Sequence, residues 1–588
     1  MYRTVHKLLD NPYMSHLYDV VVVGSGASGM SAAVFAAAKG QSVLVLESTE
    51  FVGGTSSYSA GTTWVPGNAV GKKVNPGDTL EAAKHFLDAA VGTRSPKVMR
   101  DAFVDHASKA VACMEASSEL QYQVRAFHPD YMSELAGAVT CGRAIEPLPF
   151  DGRKLGKAFK LIRPPIPEFL VLGGMMVDRD DILHLLNLRR GNYSWTAIKH
   201  ALKALTRHAL DRMTHPRGTR LVMGNALVGR LLYSLQKRGV EILTNTKLTK
   251  LQATPDKDFK AWTLEIHSAH GSRSITTKNV IFASGGFNRH AAKRTEFLPG
   301  INAAWCVGAA GHTGVAIDLA LAQGARLGSV GDDANLSAAY WAPVSMRKRA
   351  DQSTAVFPHF MMDRGKPGMI VVNQRGERFA NESLSYHQFG LAMQAAQQTT
   401  EHAIPAWLIT DAVGINKYGL GMVRPASKHF DEYTHDGYLT VAASINQLAQ
   451  KLNVDSQCLA NSIAQMSSAA IRGVDSAFQR GQTDYQRLAQ GDPTRVDSGE
   501  LKNACLGKIA TAPFYAVQLF PGDIGASVGL VTDTAARVLG ANNQPIQGLY
   551  AVGNDMNSIM GGVYPAPGIT LGPGLVFAYL AVENLTAA

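Results

Sequence analysis

The stretch that most restricts how this chain folds is YDVVVVGSGASGMSAAVFAAAKGQSVLVLE, residues 18–47. A β-branched apolar run, a glycine turn, an alanine-rich helix and a second apolar run follow one another, which reads as strand, turn, helix, strand. Gly24 permits the tight turn, Gly26 lets a pyrophosphate approach the backbone, and Gly29 lets helix and strand pack closely, while the helix N-terminus favours the phosphate charge. Glu47, 23 residues after Gly24, is placed to accept ribose hydroxyls. Glycines, both strands and the acid together mark a dinucleotide site, and the fold class expected is α/β with a Rossmann-type domain.

With 46% apolar and 18% charged residues in 588, the chain has the makings of a large folded core rather than a disordered segment. Cys113, Cys141, Cys306, Cys458 and Cys505 lie far apart without a CxxC pair, so neither a disulfide framework nor a structural zinc site is indicated. No HExxH, Walker A or clustered acidic metal site occurs. The N-terminal stretch lacks the apolar core of a signal peptide, and no run of about 18 apolar residues occurs, so the expected setting is cytoplasmic. The net charge of +10 does not by itself point to nucleic acid, because such an excess is ordinarily a solvated surface.

The basic residues are nonetheless uneven. Arg189, Arg190, Lys199, Lys203, Arg207, Arg212, Arg217 and Arg220 follow the apolar segment IPEFLVLGGMMV, 166–177. An apolar segment followed by cationic helices fits either a surface resting on anionic lipid at the inner face of the membrane or a charged lid packed on the protein itself.

Gly53 and Gly54, followed by small hydroxyl residues, suit a loop beneath a flat ring system, and GLYAVGND (548–555) is a short buried strand placed to close over the same cofactor. On these residues, with ASGGF (283–287), the chain from about residue 18 onward resembles the fumarate reductase and 3-ketosteroid dehydrogenase group of flavoproteins. The resemblance implies FAD, held by Gly24, Gly26, Ala27, Ser28, Gly29, Glu47, Ser48, Gly53, Gly54, Thr55, Ser56, Gly61, Gly285, Gly553, Asn554, Thr570 and Leu571. Members that attach the flavin covalently use a histidine after the second glycine pair, whereas residues 47–70 contain none, so noncovalent binding is expected. The implied organisation is an FAD-binding domain in three pieces (18–150, 222–345 and 520–588), a basic and apolar insertion (151–221), and an α+β substrate-capping domain (346–519).

Oxidising a C–C bond beside a carbonyl needs a group to polarise the carbonyl, a base for the α-proton and an acceptor for the β-hydride. No Lys, Arg or His follows Arg537, which argues against a dicarboxylate and for a neutral apolar ketone. In YPAPG the tyrosine and final glycine, Tyr564 and Gly568, stand four apart around two prolines, able to present a phenol O–H and a backbone N–H to one oxygen as in an oxyanion hole. This resembles the YPGPG-type motif of 3-ketosteroid Δ1-dehydrogenases, departing from it at Ala566. By the same resemblance Tyr386, in VVNQRGERFANESLSYHQFG, is the base, Tyr131, in FHPDYMSE, is its hydrogen-bond partner, and Tyr340 and Trp341 line the substrate pocket or form domain-interface core.

The function implied is 1,2-desaturation of an apolar ketosteroid, with a quinone or another acceptor taking the electrons. A Δ4(5α)-dehydrogenase, an ene-reductase on another enone, and a flavin electron carrier or sensor are the alternatives. GASVG (525–529) matches the nucleophile-elbow pattern, but LVTD after it reads as a strand where an elbow needs a helix, so Ser527 is not a nucleophile.

Overall fold

A computed structural model describes residues 17–189, 194–254, 261–329 and 338–587. Arg190 of the basic cluster and the first sixteen residues lie outside the described set.

The valine run builds the centre of the larger sheet. Strand β1 (Leu17–Val23) lies parallel between β2 (Val43–Leu46) and a long strand, Gly271–Phe282, with Val21 level with both Leu44 and Val280. Outside these, Glu241–Leu243 extends the parallel sheet beyond β2, and Pro545–Ala551 extends it beyond Gly271–Phe282. Val20, Val21, Val22, Leu44 and Val45 are fully buried, as strands covered on both faces must be. Helix α1 (Ala27–Ala38) covers one face, and its Phe35 meets Tyr579 of the C-terminal helix edge-on at 5.5 Å.

Two glycines are obligatory in the first turn. Gly24 has φ of +110°, and a Cβ there would stand 2.3 Å from the Ala283 carbonyl oxygen, while one on Gly29 would lie 2.1 Å from the Gly24 oxygen. The sheet, the helix and the returning strand can approach only because these positions carry no side chain.

The second sheet straddles the bounds expected for the capping region. Its centre is β3 (Ala339–Lys348) paired antiparallel with β4 (Phe514–Ala526), which also pairs with Ala406–Asp411. Helix α2 (Tyr386–Thr400) packs on this sheet so closely that a Cβ on Gly390 would meet Trp341 Cβ at 2.6 Å. The segment between the two halves of the first domain carries two helices, Arg179–Arg189 and Trp195–Arg212. Among the described residues no helix is long and apolar enough to cross a membrane.

Candidate active site and its cofactor cradle

A cavity of about 1350 Å³ runs from the start of α1, past the seam between the two sheets, to the apolar segment that includes Leu170 and Leu172. At the α1 end its wall is bare backbone. Helix α1 begins at Gly26 with no acidic residue in its first turn, and Ser56 Oγ takes the Ala27 N–H at 3.1 Å, so the helix N-terminal partial charge faces the cavity. A Cβ on Gly553 would come within 2.8 Å of Ser28 Oγ, and one on Gly285 within 2.5 Å of the His312 ring. Such a glycine-walled cradle at a helix N-terminus fits the pyrophosphate of a dinucleotide.

Of the cofactor set, Gly24, Gly26, Ala27, Ser28, Glu47, Ser48, Gly54, Thr55, Ser56, Gly61, Gly285, Gly553, Asn554, Thr570 and Leu571 line this cavity. Gly29 and Gly53 stand behind the wall: Gly29 seats α1 on the first turn, and Gly53, at φ of +105°, donates its N–H to the Ser25 carbonyl at 3.0 Å. The Glu47 carboxylate accepts from the Ser25 hydroxyl at 2.5 Å and from the Thr49 hydroxyl at 2.7 Å, which fixes its orientation at the rim of the cradle.

Two residues of this half have weak sequence signals. Asp555 is fully buried and accepts from Ser284 N–H at 2.5 Å and Gly286 N–H at 2.8 Å, clamping ASGGF to the Gly-Asn-Asp turn. His312, in the run GHTG, faces Thr55. Thr55 Oγ1 accepts from Ala309 N–H at 2.9 Å and shares a hydrogen bond with His312 Nε2 at 3.2 Å. Burial, with Arg289 and Arg163 nearby, pulls the His312 pKa down to about 4, so the ring is neutral.

At the sheet seam four aromatic rings converge. Tyr131, Tyr386 and Tyr564 are each at least 93% buried yet line the cavity, with ring centroids 5.5 Å apart for Tyr131 and Tyr386, 5.3 Å for Tyr386 and Tyr564, and 6.0 Å for Tyr131 and Tyr564. Tyr340 packs edge-on against Tyr564 at 5.1 Å, its hydroxyl within 2.6 Å of Ser558 Oγ. Tyr131 Oη donates to Tyr386 Oη at 3.3 Å.

The YPAPG turn is held from both sides. The Pro565 carbonyl accepts from Tyr131 N–H at 2.8 Å and Met132 N–H at 3.2 Å, joining the turn to the Tyr131 loop. Gly568 has φ of +87°, and a Cβ there would collide with Thr62 O at 2.5 Å. Its carbonyl accepts from Trp64 N–H at 3.2 Å, while its own N–H has no hydrogen-bond partner among the described residues. A donor left open beside a phenol at a cavity wall is a place for an oxygen acceptor.

Burial pushes the phenols of Tyr131 and Tyr386 well above the ordinary tyrosine range, and pushes Tyr564 up against the opposing effect of the Tyr386 and Thr570 hydroxyls. All three are therefore neutral donors at neutral pH. Tyr386 is the first residue of α2, capped by Ser385, so the helix terminus favours any negative charge it acquires.

Trp341 does not reach the cavity. It is buried against Gly390, with its backbone N–H donated to His387 Nδ1 at 3.2 Å. Phe360 and Met361, which do line the cavity, carry no motif in the sequence.

A family model described as FAD binding domain matches residues 19–571. The 3-oxosteroid 1-dehydrogenase of Mycolicibacterium smegmatis is 33% identical over 97% of this chain and 97% of its own length. The 4-oxocyclohex-2-ene-1-carboxylate 5-dehydrogenase of Sinomonas cyclohexanicum is 34% identical over 96% of this chain and 93% of its own. Among solved structures, the 3-ketosteroid Δ1-dehydrogenase from Sterolibacterium denitrificans in complex with 1,4-androstadiene-3,17-dione matches with a TM-score of 0.87 and 31% identity, over 97% of this chain and 99% of that one. The chain belongs to this family of FAD-binding proteins, on the branch that holds the 3-oxosteroid 1-dehydrogenases. Its cofactor is FAD.

Proposed function

We propose that the protein is an FAD-dependent 3-ketosteroid Δ1-dehydrogenase. The observation that carries the reading is the meeting of the Tyr131 and Tyr386 hydroxyls, the Tyr564 ring and the open Gly568 N–H at one apolar cavity wall. Tyr564 O–H and Gly568 N–H hold the C3 carbonyl oxygen and stabilise the negative charge it gains. Tyr386, having first released its own proton to water, takes the proton from C2 as phenolate, and Tyr131 steadies that phenolate by donating to it. The C2–H bonding pair becomes the C1–C2 double bond as hydride leaves C1. FAD, when bound in the cradle, supplies the two-electron acceptor for that hydride. A quinone or another acceptor then removes the electrons.

Three Lys or Arg side chains border the cavity, and none is posed for a substrate carboxylate. Arg163 donates to Thr49 Oγ1 at 2.7 Å, Arg424 to the Leu170 carbonyl, and Lys247 is exposed. This supports a neutral steroid over the oxocyclohexene carboxylate of the second relative. Anaerobic mixing with androst-4-ene-3,17-dione is expected to bleach the flavin within seconds, and 4-oxocyclohex-2-ene-1-carboxylate is expected not to. Bleaching by the carboxylate alone would overturn the steroid reading.

The insertion supports peripheral contact with anionic lipid. Along Trp195–Arg212 the inward residues Ala197, Ala201, His208 and Asp211 are buried, whereas Trp195 (78% exposed), Leu202 (64%) and Leu210 (59%) face outward beside the exposed Lys199 and Lys203. Leu172, 61% exposed, continues this apolar surface at the cavity rim. Apolar side chains flanked by lysines suit the headgroup boundary, where an apolar ketone would also collect. Vesicles containing phosphatidylserine should float the wild type, and a Trp195→Asp/Leu202→Asp variant should stay behind; equal partitioning counts against the contact.

A further inference from the structure

We infer that Tyr485 is a positioning residue that holds Tyr131 in register with Tyr386, acting through a single turn of π-helix, Tyr485–Gln490. The inference rests on the desaturase reading, in which Tyr131 assists Tyr386. Those two tyrosines come from different parts of the molecule. Tyr131 lies on a loop fastened to the YPAPG turn, and Tyr386 starts α2 of the capping region. A 3.3 Å hydroxyl contact between them has to be maintained across that seam.

Tyr485 spans it. Its ring centroid lies 4.8 Å from that of Tyr131, closer than those of Tyr386 and Tyr564. Its backbone N–H donates to Ser133 Oγ at 3.0 Å, two residues beyond Tyr131, so both the ring and the chain of that loop are held. On the other side, Gln490 Nε2 donates to Tyr485 Oη at 2.6 Å and to the Phe360 carbonyl at 3.2 Å. The Phe360 ring in turn packs edge-on against Tyr386 at 4.9 Å. Tyr485 is 1% exposed and does not line the cavity, so it touches neither substrate nor flavin. The π-turn is what brings the first and last of these six residues face to face: Gln490 reaches back to the Tyr485 hydroxyl across the wide turn. Turns of this kind have poorer hydrogen-bond geometry than α-helix and are found mostly where a particular side-chain placement is needed.

The test is a double-mutant cycle on the FAD-loaded enzyme, following flavin reduction by androst-4-ene-3,17-dione. Tyr485→Leu is expected to lower kcat at least tenfold with KM changed less than threefold and the flavin absorbance spectrum unaltered. Its pH profile should shift in the same direction as that of Tyr131→Phe. Tyr485→Phe, which keeps the ring against Tyr131 but loses the Gln490 contact, should fall between wild type and Tyr485→Leu. In the Tyr131→Phe background Tyr485→Leu should cost less than threefold more, because coupled positions are not additive. Ser133→Ala is the gentler probe should Tyr485→Leu not fold: a loss of about threefold in the wild-type background and none beside Tyr131→Phe is expected. Full additivity, or a wild-type rate and pH profile in Tyr485→Leu, overturns the positioning role while leaving the desaturase reading intact. A wild-type flavin that no ketosteroid bleaches overturns that reading, and the inference with it.

Discussion

In the proposed reaction Tyr564 and Gly568 carry the carbonyl-binding role between them, and each is constrained differently. The glycine is fixed by sterics, since its φ of +87° and the Thr62 oxygen 2.5 Å from a would-be Cβ exclude any side chain. The tyrosine is fixed by chemistry, because a phenylalanine would fill the same space without the O–H. Tyr564→Phe should therefore retain FAD and fold while losing about 10²- to 10³-fold in kcat, the usual cost of removing one oxyanion donor. Rapid-reaction flavin reduction checks this, and an unchanged rate removes Tyr564 from the site. YPAPG singles this pair out in the sequence because a turn so rich in proline and glycine leaves few conformations open. It could not separate Tyr340 from Trp341, which are adjacent on β3 and so point to opposite faces. Only Tyr340 meets the cavity, and the face cannot be chosen without knowing which side of the sheet is covered. Tyr485 gave no signal at all: its neighbours QTDYQRLAQ are those of an ordinary polar helix, and its meaning comes from a loop more than three hundred residues earlier.

At the scale of elements, the first βαβ unit was legible in full, since β-branched strands, glycine spacing and the alanine-rich helix each state their geometry locally. The capping sheet was less so, because the partner of β3 is β4, far along the chain, and pairing of that kind leaves no local mark. Helix α2 joins the two scales, for its first residue is the proposed base. The Ser385 side chain accepts from Gln388 N–H at 3.3 Å and closes the helix end directly behind Tyr386. Ser385→Ala should cost about 1 kcal/mol of stability. Fraying of the first turn would also move the phenol, so a fall in kcat is expected together with the fall in melting temperature. Thermal melts and flavin reduction on the same sample check the pairing; a lower melting temperature with an untouched rate would mean that the cap does not position Tyr386.

On the scale of the whole molecule, the stretch leading into the proposed base is tied to a segment about a hundred residues later by a buried ionic cluster. Glu382, four residues before Tyr386, receives Arg378 at 2.7 Å and Arg480 at 3.0 Å, and Arg378 also meets Asp475 at 2.8 Å. Burial alone would raise the Glu382 carboxyl, but the two guanidiniums outweigh it and hold its pKa at about 2. A carboxyl whose folded pKa lies below its unfolded value, about 4.5, stabilises the fold at neutral pH and loses that contribution as pH falls toward about 2. The difference corresponds to roughly 3 kcal/mol. Melting temperature should thus drop steeply between pH 4.5 and 2 in the wild type. Glu382→Gln should be destabilised at pH 7, where buried Arg480 loses its carboxylate and Arg378 keeps only Asp475, and should have a shallower acid slope. The residues in this cluster are spread over about a hundred positions, so acid that loosens it frees the segment leading into Tyr386.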